Sequence, residues 1–144
     1  MIVINYMYKT VTLLSSVGII LACYLLYEYL AADPLEACRI NAIINCEAVT
    51  KGSLAEIFGI PVSLVGLVGY IVILFSSVKK IPKLMVAMTT FGMLFCLRLT
   101  YLEIFVENVI CPVCIICQLI MLTVFIISLK LVFSEKKASS EHKK

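Results

Sequence analysis

Apolar residues run along the chain in four long stretches, separated by segments that carry most of the charged residues. The stretches cover residues 11–30, 59–78, 84–106 and 111–129. Each is close to the roughly 20 residues that an α-helix needs to cross the hydrocarbon core of a bilayer. The pattern predicts an all-α membrane protein: a four-transmembrane-helix bundle with both termini on the same side.

The composition agrees with the pattern. Of 144 residues, 62% are hydrophobic, and the mean hydropathy is +1.10, outside the range of soluble globular chains. We expect one transmembrane domain over residues 1–133, with a long outer loop at 31–58. Residues 134–144, rich in lysine and serine, are predicted to be a disordered basic cytoplasmic tail.

The charged residues predict the orientation of this bundle. One face collects nearly all of the lysines, namely Lys9, Lys79, Lys80, Lys83, Lys130, Lys136, Lys137, Lys143 and Lys144. The positive-inside rule makes that face cytoplasmic. The opposite face is rich in acidic residues, so the net charge of +3 is no sign of nucleic-acid binding. We predict a multi-pass protein of the cytoplasmic membrane.

The outer loop contains a pattern typical of a helix start. Ser53 is followed three residues later by Glu56, which forms a capping box, and Leu54, Ile57 and Phe58 would give the helix an apolar face. We predict a short outer half-helix that caps the bundle. Ser53 is then either a helix cap alone or a residue beside a reactive site.

Four of the seven cysteines belong to the outer side. Cys38 and Cys46 lie in the loop, and Cys111 and Cys114 open the fourth span. The remaining three, Cys23, Cys96 and Cys117, fall inside spans, where a packing role is expected; for Cys117, one turn below Cys114, a redox role stays open. The outer four would meet in an oxidising compartment.

The segment Cys111–Cys114 has the features of a redox dithiol. Pro112 suits the first turn of a helix, so the helix would start here. Free N–H groups and the positive end of the helix dipole favour a thiolate. The i, i+3 spacing puts both sulfurs on one helical face, close enough to be joined. A loop pair beside this fixed pair is the layout of a relay that exchanges electrons through mixed disulfides.

Other chemistries find less support in the sequence. Four outer cysteines could supply thiolates to zinc or an iron–sulfur cluster, but C-x7-C with C-x2-C matches no usual spacing, and we predict no metal site. The one histidine, His142, lies in the tail, and neither G-x-G-x-x-G nor a P-loop is present. An electron acceptor would therefore be lipid-soluble.

Taken together, Cys38, Cys46, Ser53, "GIPVSLVGLVGY" at 59–70 and "CPVC" at 111–114 resemble the vitamin K epoxide reductase family, in its short prokaryotic form. The resemblance extends from the first span to the fourth. It implies a four-helix bundle around a quinone pocket, with ubiquinone or menaquinone as acceptor. It also implies reoxidation of a thioredoxin-like partner, here a separate protein, that makes disulfide bonds.

By position, the resemblance implies that Cys38 meets the partner, that Cys46 forms a mixed disulfide with Cys111, and that Cys114 reduces the quinone. Ser53, Val62 and Gln118 would border the quinone. Val62 stands where many relatives have asparagine, and Gln118 where the vertebrate enzymes have tyrosine. These departures argue against epoxide reduction; Gln118 would either point its amide at a quinone carbonyl or simply pack.

The sequence also predicts roles for four polar or small residues inside the spans. Arg98 is predicted to extend to the outer interface rather than to line a pocket. Glu103 would sit in a solvated helix end, or shuttle a proton to the forming quinol. Gly66 and Gly69 would allow close helix contact. The rival hypotheses are a relay running in reverse, towards the outside, and a four-span structural or metal-binding membrane protein with static outer disulfides.

Overall fold

The computed structural model describes residues 2–31, 40–41, 43–44, 46, 50–52 and 55–141. Its helices are α1 (Ile2–Leu30), α2 (Val62–Val78), α3 (Pro82–Leu102) and α4 (Pro112–Glu141), with a π-helical turn at Glu103–Glu107 between the last two. The predicted all-α membrane fold is confirmed. Three helical segments, Ile2–Leu30, Pro82–Glu107 and Pro112–Ser140, are long and apolar enough to span a membrane, while α2 is a shorter apolar helix.

The four helices form a closed bundle. α1 packs on α2, α2 on α3 and α3 on α4, and α4 returns to pack on α1. The main core consists of side chains that interdigitate between the helices: Tyr8, Val11, Tyr70, Ile73, Met85, Ile120, Met121, Val124 and Leu131. A second, smaller cluster of Leu25, Cys46 and Cys111 lies at the opposite end, where the loop meets the bundle.

The inner end of the bundle carries a network of polar contacts. The Ser77 hydroxyl donates to the Tyr8 carbonyl at 2.9 Å and lies 3.0 Å from the Thr12 hydroxyl. The Tyr8 hydroxyl donates to Glu135 Oε1 at 3.0 Å, and Lys80 Nζ donates to Asn5 Oδ1 at 3.2 Å. The lysine-rich segments that the sequence assigns to one face therefore do meet at one end.

Helix α4 extends further than the apolar stretch 111–129. We predicted that residues 134–144 are disordered, but the structure continues the helix to Glu141. The contact between Tyr8 and Glu135 ties the extension to α1, and residues such as Glu135, Lys136 and Lys137 form helix readily. Residues 142–144 lie outside the described part of the chain.

The predicted half-helix is not what residues 55–61 form. Glu56–Ile57 and Ile60–Pro61 pair as a two-residue antiparallel hairpin, with Glu56 opposite Pro61. Phe58 and Gly59 in its turn both have positive φ, as type I′ turns require. The capping-box pattern is thus overridden by a turn. Tyr29 at the end of α1 donates to Glu56 at 2.5 Å and holds the hairpin against the bundle.

The close helix contact also lies elsewhere than predicted. A Cβ on Gly18 of α1 would come within 2.4 Å of the Tyr70 ring, whereas a Cβ on Gly66 or Gly69 would meet nothing within 4 Å. Gly18 therefore lets α1 approach α2, and Gly66 and Gly69 instead face open space.

Candidate redox site

A short backbone contact brings the outer loop to the start of α4. The Ile110 N–H donates to the Ile43 carbonyl at 2.7 Å, and Ile44 and Ile110 form an isolated parallel bridge. Cys46 is two residues beyond Ile44, and Cys111 is one residue beyond Ile110. The bridge thereby places the two cysteines side by side.

The two sulfurs are in direct contact. Cys111 Sγ lies 3.0 Å from Cys46 Sγ, and both side chains are buried, at 0% and 3% exposure. Cys46 takes part in a disulfide bond, while Cys111 and Cys114 are free thiols. A thiol held against a disulfide sulfur is the arrangement that thiol–disulfide exchange requires.

The surroundings of Cys111 favour its thiolate form. Cys111 precedes the membrane-spanning part of α4, and its sulfur accepts a hydrogen bond from the Cys114 N–H at 3.4 Å. Hydrogen bonding by the Cys114 thiol is the largest influence, and together with the N–H groups of Cys114 and Val113 it lowers the pKa of Cys111 despite burial and the nearby Glu103. Cys111 is therefore the more nucleophilic of the two thiols.

A cavity of about 90 Å³ lies directly below the dithiol, between α1, α2, α3 and α4. Cys114, one turn into α4, is on its wall, together with Gly66 and Gly69 of α2. Since these glycines have no side chain, the α2 wall is smooth and leaves room for a flat ring. Thr50, from the outer loop, borders the cavity on the outer side and is held by two hydrogen bonds to the Cys46 carbonyl.

The structure brings most of the predicted site residues together. Cys46, Cys111 and Cys114 are adjacent, and both Val62 and Gln118 line the cavity. The Gln118 carbonyl accepts a hydrogen bond of 2.5 Å from Thr100, which leaves its amide group for other partners. Cys38 and Ser53 lie outside the described residues, so their predicted roles stay predictions.

Two polar cavity residues, Tyr70 and Thr100, have no predicted role in the sequence analysis, and Cys96 and Cys117 were expected mainly to pack. Tyr70 is nearly buried, and its hydroxyl donates to the Cys117 carbonyl at 2.9 Å. Thr100, Cys96 and Cys117 also line the cavity. A signal existed for Thr100, which is three residues before Glu103 and so on the same helical face; Tyr70 looks like any apolar-span residue.

Two expectations about single residues are wrong. Glu103 is not at a solvated helix end: it is only 3% exposed and lines the cavity. Glu103 lies one turn beyond Leu99 and Thr100, on the helical face that lines the cavity. The π-helical turn starts there, and the Glu103 carbonyl accepts the N–H groups of Asn108 and Val109. Cys23, expected to be a packing residue, is exposed on the surface of the bundle.

The expectation for Arg98 fits the structure better. Its side chain is exposed and does not line the cavity, as expected for a residue that extends to the interface. Among the residues that the structure describes, no group of three or more histidine, cysteine or acidic side chains is placed to hold a metal ion.

Comparison with known protein families agrees with this geometry. The model of the vitamin K epoxide reductase family matches residues 9–129, which include the dithiol and most of the four helices. The chain belongs to the vitamin K epoxide reductase family. It is therefore a multi-pass membrane thiol oxidoreductase, and enzymes of this family generally use quinones. No individual curated protein matches the sequence.

Proposed function

We propose that this vitamin K epoxide reductase family member transfers electrons from an outer thioredoxin-like protein to a quinone in the membrane, and so supports disulfide formation. Cys38 and Cys46 receive the electrons, and Cys111 and Cys114 pass them on. The contact of 3.0 Å between Cys46 Sγ and Cys111 Sγ, directly above the cavity that Cys114 lines, is the observation that carries this proposal.

The proposed cycle balances electrons and protons. The partner's dithiol reduces the Cys38–Cys46 disulfide and is itself oxidised to a disulfide. The Cys46 thiolate then attacks an oxidised Cys111–Cys114 pair at Cys111, and Cys38 resolves the mixed disulfide, which leaves Cys111 and Cys114 as thiols. These thiols give two electrons and two protons to the quinone, form their disulfide again and release a quinol.

The chain's own residues fit a quinone as acceptor. The cavity wall is largely apolar, with a few polar groups such as Thr100 and Gln118, as is usual for small-molecule sites. The amide of Gln118, oriented by Thr100, would donate to a ring carbonyl. Val62 is buried and offers no hydrogen bond, so it would contact the ring face.

The orientation is part of the proposal. The lysine-rich inner end would face the cytoplasm and the dithiol the extracytoplasmic side, in the plasma membrane. The contact of Lys80 with Asn5 supports one common inner end for the N-terminus and the turn between α2 and α3.

Anaerobic quinone reduction tests the proposal. Purified protein would be given a small dithiol and either a ubiquinone or a menaquinone analogue, and quinol formation would be followed. Wild-type protein should turn over, and Cys114→Ala should form no quinol, because one sulfur cannot close a disulfide. Cys23→Ala removes an exposed thiol away from the cavity and should behave like wild type.

The same assay separates the rival hypotheses. Folded wild-type protein that forms no quinol with either analogue would contradict the proposal and favour a structural role with static disulfides. In that case the Cys38–Cys46 disulfide would also resist reduction by mild reductants.

A further inference from the structure

Glu103 is an unusual group to find at this depth. It is 3% exposed, and one of its carboxyl oxygens, Oε1, has no hydrogen-bond partner in the structure. An unsatisfied buried carboxyl oxygen costs free energy and calls for an explanation. In the described wall of the cavity, Glu103 is the single acidic or basic side chain.

The other side of the carboxyl group faces the dithiol. Glu103 lines the same cavity as Cys114, and its carboxyl group interacts with the Cys114 side chain and with the backbone of Cys111. Cys96, on the same helix, also lines the cavity. Glu103 therefore connects the sulfur that must lose a proton with the cavity in which an acceptor would be reduced.

Glu28 does not share these features, although it is also buried with an unpartnered Oε1. It does not line the cavity, and it interacts with the Tyr24 hydroxyl on its own helix. Of these two residues, Glu103 is the one that lies beside the dithiol, lines the cavity and has an unpartnered carboxyl oxygen.

We infer that Glu103 is the proton-transfer residue of the quinone step, which rests on the function proposed above. In its acid form, Glu103 releases its proton to a quinone oxygen from one carboxyl oxygen and accepts the Cys114 thiol proton at the other. Glu103 is thus protonated at the end of the step, as it was at the start. The dithiol supplies the two electrons and becomes a disulfide; the second proton comes from the outer solution, to which Cys111 loses its own, because Cys111 does not line the cavity.

Three variants separate proton transfer from a structural role. Glu103→Gln keeps the size and the hydrogen bonding of the side chain but cannot carry the proton. Glu103→Asp changes the shape but keeps an acid. Glu107→Gln makes the same chemical change one helical turn away, on a side chain that is not part of the cavity wall, and serves as the matched control.

Reduced protein, freed of excess dithiol, would be mixed rapidly with a short-chain quinone without oxygen, and quinol formation would be timed. We expect Glu103→Gln to slow this step by about 100-fold, Glu103→Asp to be clearly faster than Glu103→Gln, and Glu107→Gln to match wild type. Reduction of the Cys46 disulfide by a small dithiol should keep its wild-type rate in all three.

A Gln variant as fast as wild type, or faster than the Asp variant, would overturn the role of Glu103. So would equal wild-type rates of quinol formation in H₂O and D₂O, a measurement that needs no variant. Folded wild-type protein that forms no quinol would overturn the proposed function itself, and this inference with it.

Discussion

The two ends of the bundle treat buried polar groups in opposite ways. At the inner end, Tyr8, Thr12 and Ser77 satisfy one another or Glu135. At the outer end, Glu28 and Glu103 are just as buried, yet each keeps an oxygen without a hydrogen-bond partner. Burial with partners stabilises a fold. Of the two unpartnered carboxyl oxygens at the outer end, that of Glu103 belongs to the cavity wall, where the proposed chemistry needs it.

The contrast extends to the close packing of the helices. The Tyr70 ring packs directly against Gly18 and occupies the space that a side chain there would need, and this contact joins α1 to α2. Gly66, about one turn before Tyr70 on α2, has open space where a side chain would be. The same residue type therefore closes the structure in one place and keeps the cavity open in the other.

Filling the open region should have the largest effect. Gly66→Leu would place an isobutyl group in the cavity without a backbone clash, and we expect quinone reduction to fall by about 100-fold or more, because a near-attack position of the ring is lost. Stability should not fall, since replacing a mid-helix glycine stabilises by about 0.5–1 kcal/mol. Turnover and thermal unfolding in detergent measure the two effects.

Val68→Leu is the matched control for this variant. Val68 is on the same helix but 52% exposed, away from the cavity, so added bulk there should change neither turnover nor stability noticeably. A Gly66→Leu protein with wild-type turnover would show that the cavity is not the acceptor site.

A change at the inner end should have a smaller effect, and it should lower stability rather than turnover. Ser77→Ala removes the hydroxyl that bonds the Tyr8 carbonyl and Thr12. We expect the free energy of unfolding to fall by about 1–3 kcal/mol, while the rate of quinol formation per folded molecule stays unchanged. Thermal unfolding and turnover in the same preparation check this. Lost turnover in stably folded Ser77→Ala would contradict the division of roles between the two ends.

The sequence predicted the large features because they depend on strong local signals. Hydropathy and length placed the four helices, and the family-like order of cysteines placed Cys46 beside Cys111, which the structure shows in contact. Val62 and Gln118, which the resemblance puts beside a quinone, both line the cavity; their contact with a quinone stays a prediction.

Most of the structural features that the sequence did not predict depend on backbone or packing geometry that no local sequence pattern indicates. The hairpin at 56–61 needs positive φ at Phe58, a conformation that a bulky residue rarely adopts. Glu103 lies one turn beyond Thr100 on the helical face that lines the cavity, whereas its position near the end of a span suggested solvent. Gly18 could not be distinguished from Gly66 because both are single glycines in apolar helices.

The central claim is that electrons cross between loop and bundle at the contact of Cys46 with Cys111. In Cys114→Ala protein, the mixed disulfide that a Cys111 thiolate forms at Cys46 cannot proceed to a Cys111–Cys114 disulfide and can revert only through the thiol that it released, so the disulfide between Cys46 and Cys111 should accumulate. Peptide mass spectrometry after acid quenching would detect it. The account predicts this linkage as the dominant one involving Cys111; a Cys111 that stays free, or bonds mainly to another cysteine, would contradict it.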